Sequence, residues 1–250
     1  VGQTSQNDNN RNLAYPTLDE SIADTYARRS TATNKNSLYD SYIRAIRWAS
    51  NRVQDSPDGG IIGFVSNGGW IDGNTADGIR LTLPDEFHHI YIYNLRGNQR
   101  TSGEQSRREG GKVFGKGSRN TVAITLLVRQ PGPPPAGDAQ IHYRDIGDYL
   151  DRETKLDTIA KATVVNLSWE CIEPNTSGDW VNQRDATYEA LIPLTGRHGL
   201  FKTWPNGLQT ARDAWTFNAS TGALTSPVAR MIDYFNAQVD AFQQAVADGD

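Results

Sequence analysis

Gly59-Gly60-Ile61-Ile62-Gly63-Phe64-Val65 is a short apolar run bounded by glycines, and its reading as a buried strand decides the fold class. Before it, Tyr39, Tyr42, Ile43, Ile46, Ala49 and Val53 recur at three- and four-residue steps. That spacing predicts an amphipathic helix, stopped by Ser56-Pro57-Asp58-Gly59-Gly60. Further upstream, Thr17-Leu18-Asp19-Glu20 has the form of a capping box and predicts a helix from Leu18 to Arg29. Residues 1–16 are polar and rich in asparagine, which reads as an extended arm. On the other side of the run, a short helix is expected over Ala76–Leu83, closed by Pro84. His89–Tyr93 and Thr121–Val128 are β-rich and read as strands. Helix and strand alternate, so the first half is α/β, with an antiparallel pair at its end.

Composition places a boundary after this half. Residues 131–137 (Pro-Gly-Pro-Pro-Pro-Ala-Gly) read as a stiff linker between residues 1–130 and residues 138–250. Beyond it, Ile141–Tyr143 suggests a strand, and Asp148 is expected to cap a helix carrying Leu150, Leu156, Ile159 and Ala160. Residues 163–218 are irregular by pattern. Val228, Met231, Ile232, Phe235, Val239 and Phe242 predict a closing helix over Ser226–Ala247.

The 250 residues include six Trp, ten Tyr and seven Phe, enough aromatic matter to build a core. The net charge of −4 advertises no global attraction to nucleic acid or membrane. A single cysteine, Cys171, excludes a disulfide framework within the chain and a Cys-rich zinc site. No apolar run reaches the roughly 20 residues of a membrane span, and no secretory leader is recognisable, so a cytoplasmic protein is expected.

Several patterns that resemble sites carry a plainer reading. His88 and His89 point to opposite faces of a strand and cannot chelate one ion together; His142 and His198 add no ligand spacing. Asp145, Asp148, Asp151 and Glu153 gather at a helix start, where capping explains them. Gly110-Gly111-Lys112-Val113-Phe114-Gly115-Lys116-Gly117 has the spacing of a phosphate-binding loop, but Gly117 stands where magnesium needs Ser or Thr. The stretch before it is polar, not a buried strand.

The insertion from Leu95 to Asn120 is more informative. It holds Arg96, Arg100, Arg107, Arg108, Lys112, Lys116 and Arg119 against only Glu104 and Glu109. A basic, Gly-rich loop is a reasonable electrostatic contact for phosphates, and equally a solvated surface loop. Phe114 within it can either stack on an unpaired base or anchor the loop in the core.

Taken together, residues 38–129 resemble the second half of a gamma-class adenine methyltransferase catalytic domain. Leu38-Tyr39-Asp40-Ser41-Tyr42 matches the start of the helix after that family's catalytic motif. Gly59 to Trp70 matches its glycine, strand, turn and tryptophan segment. Val113-Phe114-Gly115 with Asn120–Arg129 matches its late aromatic motif and final strand. Trp180-Val181-Asn182-Gln183-Arg184 and Thr210–Trp215 extend the likeness to the type ISP restriction-modification enzymes. Those are single chains with a nuclease, a helicase-like motor, this methyltransferase and a target recognition domain.

The resemblance implies the C-terminal half of a Rossmann-like, S-adenosylmethionine-dependent methyltransferase sheet, followed by a mixed, helix-led irregular region that starts target recognition. It implies double-stranded DNA as partner, Phe114 as the residue stacked on a flipped adenine, and the seven cations as DNA contacts. No Asn-Pro-Pro occurs, and the family's glycine-rich cofactor turn is not recognisable. Val1-Gly2-Gln3 looks like the residues that follow the catalytic motif. By this reading no catalytic residue lies in the chain, the fragment is inactive alone, and the upstream half of the same protein should cover an exposed sheet edge. The alternative is a non-catalytic DNA-binding or protein-interaction module.

Overall fold

Ile43 and Ile46 sit one turn apart, and both are buried where the helix Ser41–Gln54 (α2) lies on the sheet. A computed structural model describes residues 14–114, 119–185, 187–203 and 213–248, so the arm expected over residues 1–16 lies almost wholly outside the described residues. The preceding helix, Pro16–Ile22 (α1), continues through a wider turn over Ala23–Ala27. It begins one residue before the expected capping threonine. Pro16 supplies the preset φ and the missing N–H of a first helical position, so no hydroxyl cap is needed. Asp19 accepts the Tyr15 N–H at 3.3 Å and pairs with Arg44 of α2 at 2.7 Å.

Strand β1 spans Gly60–Asn67 and is followed by helix α3, Asp77–Glu86. Pro84 was expected to close α3 but lies inside its last turn, where its ring forfeits only one backbone bond. Next come β2 (His89–Arg96), a short helix α4 (Gly103–Glu109) and β3 (Val122–Arg129). β3 lies between β1 and β2 and runs antiparallel to both, so the antiparallel pairing expected at the end of the first half is present twice.

The chain then corrects the composition-based boundary. Residues 131–137 join β3 to β4 (Gln140–Asp145), which pairs parallel with β2, and β5 (Glu170–Ile172) adds antiparallel to β4. The proline-rich stretch is a crossover within one sheet of order β1-β3-β2-β4-β5, and residues 138–172 extend that sheet. Composition alone cannot separate a stiff crossover from an interdomain linker. Helix α5 (Arg152–Ala160) is capped by Asp151, which accepts the Thr154 N–H at 2.8 Å, and not by Asp148.

Register explains the two cores. Ile62 opposes Leu127, Leu127 opposes Ile90, and Ile90 opposes Ile141, so all four share one face. They are buried with Ile22, Tyr26, Ile79 and Leu83 of the N-terminal helices. On the opposite face a smaller core joins Tyr93, Leu95, Val113, Val122 and Ile146, with Leu150 and Ile159 packed against it. The outer edge of β1 has no strand partner among the described residues, and Ile61 and Val65 there are 72% and 57% exposed.

The chain divides into two compact units, Val1–Asp185 and Ala186–Asp250. The second contains short helices α6 (Thr187–Ala190) and α7 (Asp213–Thr216) and the long helix α8, Thr221–Asp248. α8 starts earlier than its apolar spacing suggested and includes Pro227; Ile232, Phe235 and Phe242 on it are exposed. Among the described residues no helix is long and apolar enough to cross a membrane.

Candidate nucleic-acid interface

The turn that leaves β1 is built by two short polar links. The Gly68 N–H donates to the Thr121 carbonyl at 3.1 Å, and the Gly69 N–H donates to Asn67 Oδ1 at 2.9 Å. Trp70 then turns inward, fully buried, edge-on to Trp180 at 5.5 Å between ring centroids. Arg80 of α3 fixes this turn from beneath. Its guanidinium donates to the Trp70 carbonyl at 2.7 Å, to the Gly73 carbonyl at 2.9 Å and to the Gly178 carbonyl at 2.7 Å, and lies 3.7 Å from Asp179. Burial pushes the Arg80 pKa down, against the opposing pull of Asp179.

Beside the segments so joined opens a polar cavity of about 800 Å³, at the ends of β2 and β4; Asp72, Asn94, Arg96, Arg108, Asp145 and Asn182 are among its lining. A smaller recess of about 230 Å³ lies against Asn67, Gly69, Asn98, Arg100 and Asn120. The two share Gly69, Asn98 and Thr121, so the turn after β1 forms part of both.

The structure sorts the seven cations expected to meet DNA. Arg96, in a left-handed backbone conformation (φ 55°) at an irregularity of β2, is held by Asp145 at 2.7 Å and by Asp148. Arg107 pairs with Glu104 at 2.8 Å, and Arg108 lies 4.0 Å from Asp148. Arg119 donates to the Gln99 carbonyl at 3.2 Å. Among the described residues no carboxylate pairs with Arg100 or Lys112. Lys116 lies outside the described residues. The cavity also carries Asp72, Glu104, Glu109 and Asp145, so its lining is not the positive surface that the loop sequence suggests.

Phe114 offered two readings, and its neighbour takes one of them. Val113 is buried in the smaller core, whereas Phe114 is 51% exposed. Gly110 and Gly111 of the false phosphate loop serve packing. A Cβ on Gly110 would stand 2.1 Å from the Leu150 carbonyl oxygen, and one on Gly111 2.5 Å from the Arg152 nitrogen. The acidic cluster divides as well: Asp151 caps α5, while Asp145 and Asp148 serve Arg96. His88 and His89 part as expected. His88 Nδ1 accepts the Gln130 N–H, while His89 stacks 5.8 Å from His142 across the strands.

Arg80, Asp179 and the fully buried Lys155 were not anticipated from the sequence. Asp179 and Lys155 stand in polar stretches and Arg80 on a short helix between Ile79 and Leu81, and a solvated side chain would look the same at each, so the pattern held no signal for them.

No protein-family model and no curated protein sequence matches the chain. Among solved structures it is similar to a nuclease-deletion mutant of the Type ISP restriction-modification enzyme LlaGI in complex with a DNA substrate mimic. That similarity has 47% identity and a TM-score of 0.83 over 96% of this chain and 19% of that one. The ATP-dependent Type ISP restriction-modification enzyme LlaBIII bound to DNA matches at 38% identity and a TM-score of 0.81, over 93% of this chain and 16% of that one. A DrdV–DNA complex matches at 32% identity and a TM-score of 0.80, over 94% and 24%. The chain thus spans less than a quarter of the length of each of these proteins.

Proposed function

The chain belongs with the Type ISP restriction-modification enzymes, as one segment of such a protein, and from that premise we propose that it is part of an adenine-specific DNA methyltransferase. In this reading α2 through β3 form the second half of a Rossmann-like catalytic domain, and the later residues lead toward target recognition. The parent enzyme would transfer a methyl group from S-adenosylmethionine to the amino group of an adenine swung out of double-stranded DNA. Gly68 and Gly69, the glycines at the end of β1, are packed on their Cβ side against Ala123, Thr121 and Asn67, and in this reading the glycine-rich turn that would hold the cofactor lies elsewhere in the parent enzyme. The segment's own share is the base and the backbone.

One observation carries the reading: Phe114 is exposed immediately after a buried residue, in the insertion that also presents Arg100 and Lys112. An extrahelical base leaves its stack at a cost of a few kcal/mol, and an aromatic face offsets part of that cost. Phe114 would stack on the flipped adenine, while Arg100 and Lys112 meet phosphates. Base–aromatic stacking is worth about 1–3 kcal/mol, so Phe114→Ala in the intact enzyme is expected to slow methyl transfer by about 5- to 150-fold. A wild-type rate in that variant would overturn the assignment.

A further inference from the structure

We propose that the segment Tyr149–Lys155 is a positioning element for Phe114, with Lys155 as its pin; the inference rests on the reading that Phe114 stacks on a base. Lys155 is basic and close to the basic insertion, yet it is 0% exposed, so it cannot meet a phosphate. Its Nζ donates to the Leu95 carbonyl at 2.9 Å and to the Glu109 carbonyl at 2.7 Å. Leu95 is the next-to-last residue of β2, and Glu109 is the last residue of α4. One buried ammonium therefore ties the end of β2, where the insertion starts, to the end of α4 within it.

The neighbours of Lys155 continue the lacing toward Phe114. The Tyr149 N–H donates to the Arg108 carbonyl at 3.1 Å, and its hydroxyl donates to Glu104 at 2.6 Å. The Gly111 N–H donates to the Leu150 carbonyl at 2.8 Å. Arg152 Nε donates to the Val113 carbonyl at 3.2 Å, the last link before Phe114. The close approach of the two backbones is possible because residues 110 and 111 have no Cβ. Burial pushes the Lys155 pKa down, and the Glu109 carboxylate opposes that shift. A desolvated ammonium held by carbonyls is a costly way to fill space, whereas it is a specific way to fix two chain segments.

The test is a cycle of variants in the intact enzyme: Phe114→Ala, Lys155→Met and the double variant, read as single-turnover methyl transfer and as DNA affinity over a range of salt. Misplacement of a contact group by about 1 Å costs up to about 100-fold, so Lys155→Met is expected to slow transfer by about 10- to 100-fold. DNA affinity and its salt slope should stay as in the wild type. The double variant should be no more than about twofold slower than the slower single variant, since both remove one contact. Lys155→Arg, which keeps a charged donor, should recover part of the rate. Amide exchange over residues 103–113 should quicken in Lys155→Met.

Additive losses would overturn the inference, as would a salt slope that falls with Lys155. If Phe114→Ala is slow while Lys155→Met is not, only the positioning role fails. If Phe114→Ala is fully active, the stacking reading fails and takes this inference with it. Should Lys155→Met not fold, Arg152→Ala, which removes only an exposed side chain and its link to Val113, is judged by the same criteria.

Discussion

Replacing Arg80 by lysine keeps a cation in the first unit and removes the fork that holds the cavity wall. Three carbonyls, of Trp70, Gly73 and Gly178, accept from the guanidinium at 2.7–2.9 Å and belong to two segments far apart in sequence. A lysine ammonium is a point donor and cannot span them. Hydrogen bonds to charged groups contribute about 1.5–3 kcal/mol each, and loss of two, with partial relaxation, gives an expected cost of about 3–5 kcal/mol. For a unit of this size 1 kcal/mol moves Tm by about 2–4 °C, so Tm should fall by about 6–20 °C. The assay is urea and thermal unfolding followed by near-UV circular dichroism, because the buried Trp70–Trp180 pair lies beside the broken links. A variant within about 1 kcal/mol of wild type would refute the claim that the guanidinium ties Trp70 and Gly73 to Gly178.

Two further substitutions probe charge placement. Asp77 is buried and accepts from the Ser30 hydroxyl at 2.5 Å, the Thr31 N–H and hydroxyl at 2.7 Å each, and the Gly78 N–H at 2.8 Å. Burial alone would raise its pKa, but these donors outweigh it and hold the carboxyl below its usual value. Its contribution is therefore full above the unfolded carboxyl pKa of about 3.9 and is lost as pH falls through the lower folded value. Asp77→Asn should cost about 2–3 kcal/mol at neutral pH and flatten the acid limb of a stability profile; an unchanged limb would exclude Asp77 as its source. Arg100→Glu and Lys112→Glu should each flatten the salt dependence of DNA binding by nearly one unit of slope per lost phosphate contact. Arg96→Gln should leave that slope unchanged and lower stability, because Arg96 already has two carboxylates.

The sheet was legible where side chains repeat. β1, β2 and β3 follow from apolar runs with branched and aromatic residues, and α2 from its three- and four-residue spacing. β4 and β5 were harder. Gln140–Asp145 has only Ile141 as a fully apolar, buried residue, and Glu170–Ile172 is three residues long, so pairing and not propensity makes them strands. The proline-rich stretch misled because stiffness serves a crossover as well as a linker. At the site, residue type located the insertion and Phe114, but sign counting could not tell which cations were already paired. That depends on Asp145 and Asp148, which lie close to Arg96 in space and far from it in sequence. Lys155 and Arg80 were invisible for a related reason: their partners are backbone carbonyls, which every residue has.

The place of β3 has a consequence for how the protein comes into being. β1 and β2 do not pair with each other; β1 pairs with β3, and β2 with β3 and β4, strands that follow both. A nascent chain that has delivered α2, β1, α3 and β2 therefore holds two apolar strands without a mate, and the ordering of all those residues must await closure of long loops. Once Arg129 has emerged, three strands can zip at once, and β4 and β5 are later additions at the far side. A chain cut just before Val122 would have no sheet to fold around, whereas one cut after Arg129 could still pair its first three strands. Translation thus sets the earliest moment of folding at β3, and until then chaperones are the natural company of Ile62 and Ile90, which Leu127 later joins in the core.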